Sequence, residues 1–401
     1  MWVFVFLITL LSTAEIFVCA YSTSDFFSPL VVMLVPMASL FMNRAHFIGL
    51  LTKGSAYFCL YLIGVCLVVC FMCTTPVFFL IFFEITVFPM TYLIINLSKD
   101  YDKIESAFTM LFLNLVGSIP FMYFISIMSQ NNYNYFFFYH KILSNIIFAS
   151  FFILLTFKFP IFLSHIWLTK AHVSGSGVCS IVLASVMLKL GTFGFGKFVD
   201  KFIFVHNMFL SAFCSFSLVG CFIFVLVMYR RMDAKYVVAC SSVVHMATIL
   251  PAYLSLSPLA SFASMLMMVG HGFVSFVLFI LVTAMYESSG TRLLTNNKSA
   301  ESYNKTFSMI SISYLFLNLG IPPFCTFLSE FGFLSVYFNV STILFTLFFF
   351  MMFLSVLYTM FLISWTTFAK SSFLTSMKLS NMIFTWTILM LWGMGIFPYM
   401  L

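Results

Sequence analysis

Four charged side chains stand well inside apolar runs of this 401-residue chain: Glu84 in FFLIFFEITVF, Lys158 in LLTFKFPIF, Lys189 in ASVMLKLGTF and Glu330 in TFLSEFGFL. Held at the centre of a membrane helix, each would cost about 2.5–3.5 kcal/mol, roughly 10–14 kcal/mol for the set. Two acids and two bases suggest pairing. A static buried ion pair, however, often stabilises a protein no more than an apolar replacement does, which is a weak reason to keep four such residues. Three histidines lie in comparable surroundings: His165 in FLSHIWL, His245 in CSSVVHMATIL and His271 in MVGHGFVSF. In an apolar environment the charged forms of lysine and glutamate lose their hydration. Their two protonation states then approach each other in free energy as those of histidine do, and protons pass between such groups at small cost. The chemistry on offer is proton movement.

Other chemistry finds little support. The ten cysteines lie mostly in apolar runs, and the one CxxC pair, Cys70 and Cys73, lacks further ligands at metal-binding spacing, so inert thiols are expected and no metal site. The string GTFGFGK, from Gly191 to Lys197, has glycines in the manner of a phosphate loop but follows an apolar helix rather than a strand, which argues against a nucleotide. No catalytic triad or haem motif is evident.

The elements that position these groups are membrane helices. Hydrophobic residues make up 63% of the chain and charged ones 7%, with a mean hydropathy of +1.13 and 58 phenylalanines. Soluble domains carry about a quarter charged residues. Apolar stretches near the length needed to cross a hydrocarbon core recur throughout, and thirteen are expected: 1–20, 27–43, 55–73, 75–97, 105–128, 143–168, 176–196, 204–229, 236–254, 259–286, 306–339, 341–367 and 381–399. The first has no basic residue before it and no cleavage site, so it reads as a span rather than a signal peptide. Lysine and arginine concentrate on the side from which a membrane protein inserts. With thirteen crossings, only Lys141, Lys197 and Lys201 fall in loops opposite the N-terminus, Lys158 and Lys189 lie within spans, and the other thirteen of the eighteen share the N-terminal side. That bias places the N-terminus inside and the C-terminus outside. It also accounts for the net charge of +7 without a nucleic-acid surface.

Two spans look broken. One carries Pro160 two residues after Lys158, and the other carries Gly320, Pro322 and Pro323 ahead of Glu330. Proline removes a helical hydrogen bond, and irregular backbone survives at membrane depth only inside protein or beside a wet cavity. One interrupted helix in each half is the pattern of repeat-built transporters. His165 follows Lys158 by seven residues, the same face of an unbroken helix.

The strings FFEITVFPM, KFPIFLSHIWLTKAHV, VMLKLGTFGFG, CSSVVHMA, GHGFVSFVLF and LGIPPFCTFLSEFGFL, between about residues 75 and 335, resemble in order and spacing the mitochondrially encoded antiporter-like subunits of respiratory complex I, which are similar to Mrp-type sodium/proton antiporter subunits. The resemblance implies an all-α membrane fold with inverted repeats, each holding one discontinuous helix. The corresponding divisions are N-terminal helices over 1–73, a first repeat over 74–230, a second over 231–367 and a C-terminal helix over 368–401. It makes Glu84 the partner of Lys158, Lys189 the central lysine, His245 and His271 relay members and Glu330 the terminal group, with His165 a further candidate. It implies a multi-pass protein of the mitochondrial inner membrane, N-terminus in the matrix and C-terminus in the intermembrane space. Its partners would be other membrane-arm subunits and lipid, while NADH, FMN, iron–sulfur clusters and ubiquinone belong to partner subunits and no cofactor to this chain. After KAHV the family has an acidic residue and a proline where this chain has Ser174 and Gly175, and Thr169 stands where a proline is usual. From the residues alone, a stand-alone cation/proton antiporter, a sister subunit and a non-transporting scaffold remain alternatives.

Overall fold

A computed structural model describes residues 54–130, 161–199, 208–296 and 305–367, apart from 74, 99, 163 and 323. Among the described residues the chain is helical, and the one β-type contact is an isolated bridge between Asp233 and Leu293. These residues fall into two compact units, one ending at 199 and the other beginning at 208. The expected spans 1–20, 27–43 and 381–399 lie outside the described residues, as do most of 143–168, including Lys158, and the 368–401 segment.

The first unit contains α1 (Gly54–Met72), α2 (Pro76–Leu97), α3 (Lys103–Gln130), α4 (Ile166–Ser174), α5 (Gly177–Val182), a π-helical turn (Leu183–Met187) and α6 (Leu188–Val199). Pro76 opens α2, where a missing N–H costs nothing. α2 packs on α1, α3 and α5, and α6 packs on α1. The stretch 177–196 is wholly buried, whereas α2 turns Phe78, Ile81, Phe88 and Tyr92 outward. An exposed apolar face of this kind is suited to hydrocarbon.

The second unit contains α7 (Met208–Arg230), α8 (Ala234–Leu254), α9 (Pro258–Ser289), α10 (Lys305–Asn318), α11 (Cys325–Val340) and α12 (Thr342–Thr367). Its centre is α8 and α9, almost entirely buried. Asp233 caps α8 by accepting from the Lys235 amide at 3.0 Å, and Ser257 caps α9 by accepting from the Ala260 amide at 3.2 Å. α9 ends at Gly290, left-handed at φ 69°. Small residues let α9 and α11 approach: a Cβ on Gly332 would stand 2.7 Å from that of Ala263, and one on Gly270 would stand 2.9 Å from Thr326 Cγ2. α7 packs on α8 and α12 within this unit, so the division in packing falls one helix before the repeat boundary expected at 230.

Among the described residues, seven helical segments are long and apolar enough to cross a membrane. Both expected breaks have structure to report. Pro160 lies outside the described residues; of those that follow it, 162, 164 and 165 are in a turn before α4, with Ser164 N–H donating to the Ile161 carbonyl at 3.1 Å. The expected span 306–339 divides into α10 and α11, with Gly320 between them at φ 64°.

Candidate functional site

In the first unit Lys189 is the second residue of α6 and is fully buried, 0% exposed. Its ammonium donates to the Ala184 carbonyl, five residues back and inside the π turn. In a regular helix that carbonyl would be engaged four residues on; the π turn rotates it, and such turns recur at functional sites. Ser185, in the same turn, is buried, and its hydroxyl has no hydrogen-bond partner among the described residues. Nothing in LASVM signals the turn. The glycine-rich string lies within α6, and a Cβ on Gly194 would stand 3.0 Å from two ring carbons of Phe79 on α2. Its glycine serves helix packing, with Phe193 edge-on to Phe71 at 5.2 Å between ring centroids.

Glu84 is half-buried on α2, at the border of the outward face. Its expected partner Lys158 lies outside the described residues. His165 stands at the start of α4, half-buried and stacked on Phe162 with ring centroids 6.2 Å apart. The face expected to be shared by Lys158 and His165 falls outside the described residues at its Lys158 end. α4 is fastened to α3 by the exposed Lys170–Glu105 ion pair at 2.5 Å and by the Ser174 and Ser106 hydroxyls, also at 2.5 Å. Ser174 thus fills the family's acidic position with a neutral hydrogen bond, and Gly175 is needed where a Cβ would lie 2.6 Å from the Ala171 carbonyl oxygen. Sequence reasoning passed over His172, which is fully buried on α4. Its signal was the seven-residue spacing from His165.

In the second unit three expected residues converge. The rings of His245 on α8 and His271 on α9 lie 5.5 Å apart between centroids, and His245 Nδ1 stands 3.8 Å from Glu330 Oε1 on α11. His245, His271 and Glu330 are 6%, 2% and 4% exposed. The helix break makes room for the acid: a Cβ on Gly320 would come within 2.5 Å of Glu330 Oε2. A contiguous line of ionisable groups therefore runs from α9 through α8 to α11. Around it are groups that sequence reasoning missed. Asn318, the last residue of α10, donates from Nδ2 to the Tyr358 hydroxyl of α12 at 2.7 Å. Ser329 donates to the Thr326 carbonyl at 2.7 Å. An asparagine and a tyrosine forty positions apart give no pattern by which a sequence could pair them.

Residues 74–358 match the family model described as NADH:quinone oxidoreductase/Mrp antiporter, transmembrane, and this stretch contains every one of these groups. The chain belongs to that family. It is 33% identical over 288 residues to NADH-ubiquinone oxidoreductase chain 4 of Caenorhabditis elegans, covering 71% of this chain and 68% of the relative. The protein of the same name from Artemia franciscana is 30% identical, with 76% and 79% covered. Proteins of solved structure share the fold. A chain of respiratory complex I from Thermus thermophilus superposes with a TM-score of 0.78 at 19% identity, covering 92% of this chain and 80% of that one. A chain of the Mrp complex from Dietzia superposes with a TM-score of 0.78 at 16% identity, covering 88% and 68%.

Proposed function

We propose that this chain is an antiporter-like membrane-arm subunit of NADH:ubiquinone oxidoreductase, in the place of subunit 4, and that it carries protons across the mitochondrial inner membrane. The observation that carries this reading is the contiguous buried set His271, His245 and Glu330 beside a helix break. Histidine rings in contact and a carboxyl within 4 Å allow a proton to move by short hops, each group being within about one water of the next. Static structure alone explains it poorly, because three buried ionisable groups at a break are expensive to hold.

In this reading Glu84 sets the proton affinity of Lys158 through its charge, Lys158 passes a proton toward Lys189, and His245, His271 and Glu330 carry it onward. His165 lies near the start of this path. The free energy arrives as conformational or electrostatic change from partner subunits, which hold NADH, FMN, the iron–sulfur clusters and ubiquinone. This chain contributes translocation to the oxidoreductase and no redox chemistry of its own. The N-terminus faces the matrix and the C-terminus the intermembrane space, as the distribution of lysine and arginine suggests. The test is Glu330→Gln in the assembled complex reconstituted in liposomes. The substitution keeps the shape and removes the titrating group, so proton uptake per NADH oxidised should fall; an unchanged ratio would overturn the assignment.

A further inference from the structure

Four buried serines of this chain share a habit that Ser185 lacks. Ser180, Ser217, Ser242 and Ser275 each donate to the carbonyl three residues back, at 2.8, 2.8, 2.6 and 3.2 Å. In that way a serine settles its hydroxyl within an apolar helix. Ser185 is 3% exposed, and its hydroxyl has no hydrogen-bond partner among the described residues. It lies in the π turn, where Leu188 N–H donates to the Leu183 carbonyl five residues back and the ordinary helical register is interrupted.

Lys189 reaches into the same turn. Its amine donates to the Ala184 carbonyl, the oxygen of the peptide unit that leads directly into Ser185. Residues four apart on a helix, as Ser185 and Lys189 are, have Cβ atoms about 5–6 Å apart, and the amine reaches back across that gap. A single water, with two hydrogen bonds of about 2.8 Å each, spans what is left. The other residues of Leu183–Met187 are apolar, and the whole stretch 177–196 is buried, so bulk solvent does not serve this hydroxyl. A buried polar group that protein leaves unsatisfied is ordinarily satisfied by an internal water, which needs at least two polar partners. Ser185 and Lys189 provide two.

Resting on the function proposed above, we propose that Ser185 is a positioning residue for Lys189, its hydroxyl fixing an internal water against the lysine amine. The Ala184 carbonyl can only accept, so it serves the hydrogens of the amine and never its lone pair. A water accepts from the ammonium and, turned round, donates to the neutral amine. The Ser185 hydroxyl follows either orientation, since it both donates and accepts. Lys189 is thus supported in both protonation states, as a residue that gains and loses a proton requires.

The test uses the assembled complex, imaged at a resolution that shows ordered water, with protons counted per NADH oxidised in liposomes. A water is expected within hydrogen-bond distance of both Ser185 Oγ and Lys189 Nζ. Ser185→Ala deletes one bond to it and should weaken its binding about fivefold, the equivalent of about 1 kcal/mol. The water density should fade and the proton count should drop. Ser185→Thr returns the hydroxyl and should restore both. Ser180→Ala removes a satisfied hydroxyl from the same buried stretch and should change neither. An empty site in a map that shows other buried waters overturns the proposal. So does an undiminished count in Ser185→Ala, a reduced count with the water still in place, or a Ser185→Thr complex that regains the water and not the count. If Ser185→Ala fails to assemble, Ser185→Cys, whose thiol bonds water only weakly, decides by the same two readouts. Lys189→Met separates the two readings. An undiminished count there refutes the relay itself, whereas a diminished count with no water at Ser185 in the unaltered chain refutes only the role of Ser185.

Discussion

Gly320→Ala tests whether the helix break exists to seat the acid. Two costs are involved and can be separated. Alanine in the left-handed region, here φ 64°, costs about 1–2 kcal/mol. The added Cβ would also stand 2.5 Å from Glu330 Oε2, whereas ordinary contact begins at 3.4 Å, so the carboxyl must withdraw by about 1 Å. A displacement of that size alters the 3.8 Å separation from His245 Nδ1 and with it the attraction to a protonated imidazole. With an effective dielectric constant of about 20, the attraction is about 4 kcal/mol and the change about 1 kcal/mol, roughly fivefold in the equilibrium for moving a proton between the two. Gly290→Ala supplies the control, because φ is 69° there and nothing lies within 4 Å of an added Cβ. Both variants should lower the thermal midpoint of the assembled complex by similar backbone strain. Only Gly320→Ala should move the Glu330 carboxyl band and reduce proton pumping at a given rate of NADH oxidation. Equal behaviour of the two variants in pumping and in the infrared would refute the reasoning.

Gly194→Ala should destabilise the first unit by about 1–3 kcal/mol, through overlap with the Phe79 ring, and Phe79→Leu in the same chain should restore part of the loss in a thermal-melt comparison. Tyr337→Phe leaves the Thr248 carbonyl without its phenol donor; it should cost about 0.5–1.5 kcal/mol in chemical unfolding and leave pumping untouched. Lys170→Ala breaks an ion pair whose partners are 44% and 63% exposed, so its effect should stay within about 1 kcal/mol and shrink further at high salt.

The helices and the buried charges were legible in the sequence because both depend on composition along the chain. A span is a run of apolar residues, and a Glu or His within one stands out whatever surrounds it. The break at Gly320 was legible for the same reason, since glycine and two prolines mark it locally. What the glycine is for was not, because its contact is with Glu330 on the next helix. The π turn before Lys189 also left no trace, as LASVM suits an α-helix equally well. Tyr358 and Asn318 look like ordinary interruptions of apolar helices, and only folding shows that their polar ends meet. Thr169 and Ser174 were visible as departures from the family pattern, yet the hydrogen bond from Ser174 to Ser106 that answers the change depends on α3 lying alongside.

The central claim is that protons cross the membrane through buried side chains of this chain. Among the described residues of that set Lys189 is the most deeply enclosed, and Lys189→Met keeps its length and its apolar stem while removing the only part that can hold a proton. The measurement is protons translocated per two electrons passed from NADH to quinone, in proteoliposomes holding the assembled complex with and without the substitution. The account predicts a lower ratio with Lys189→Met while electron transfer continues. An undiminished ratio in an intact complex would contradict it.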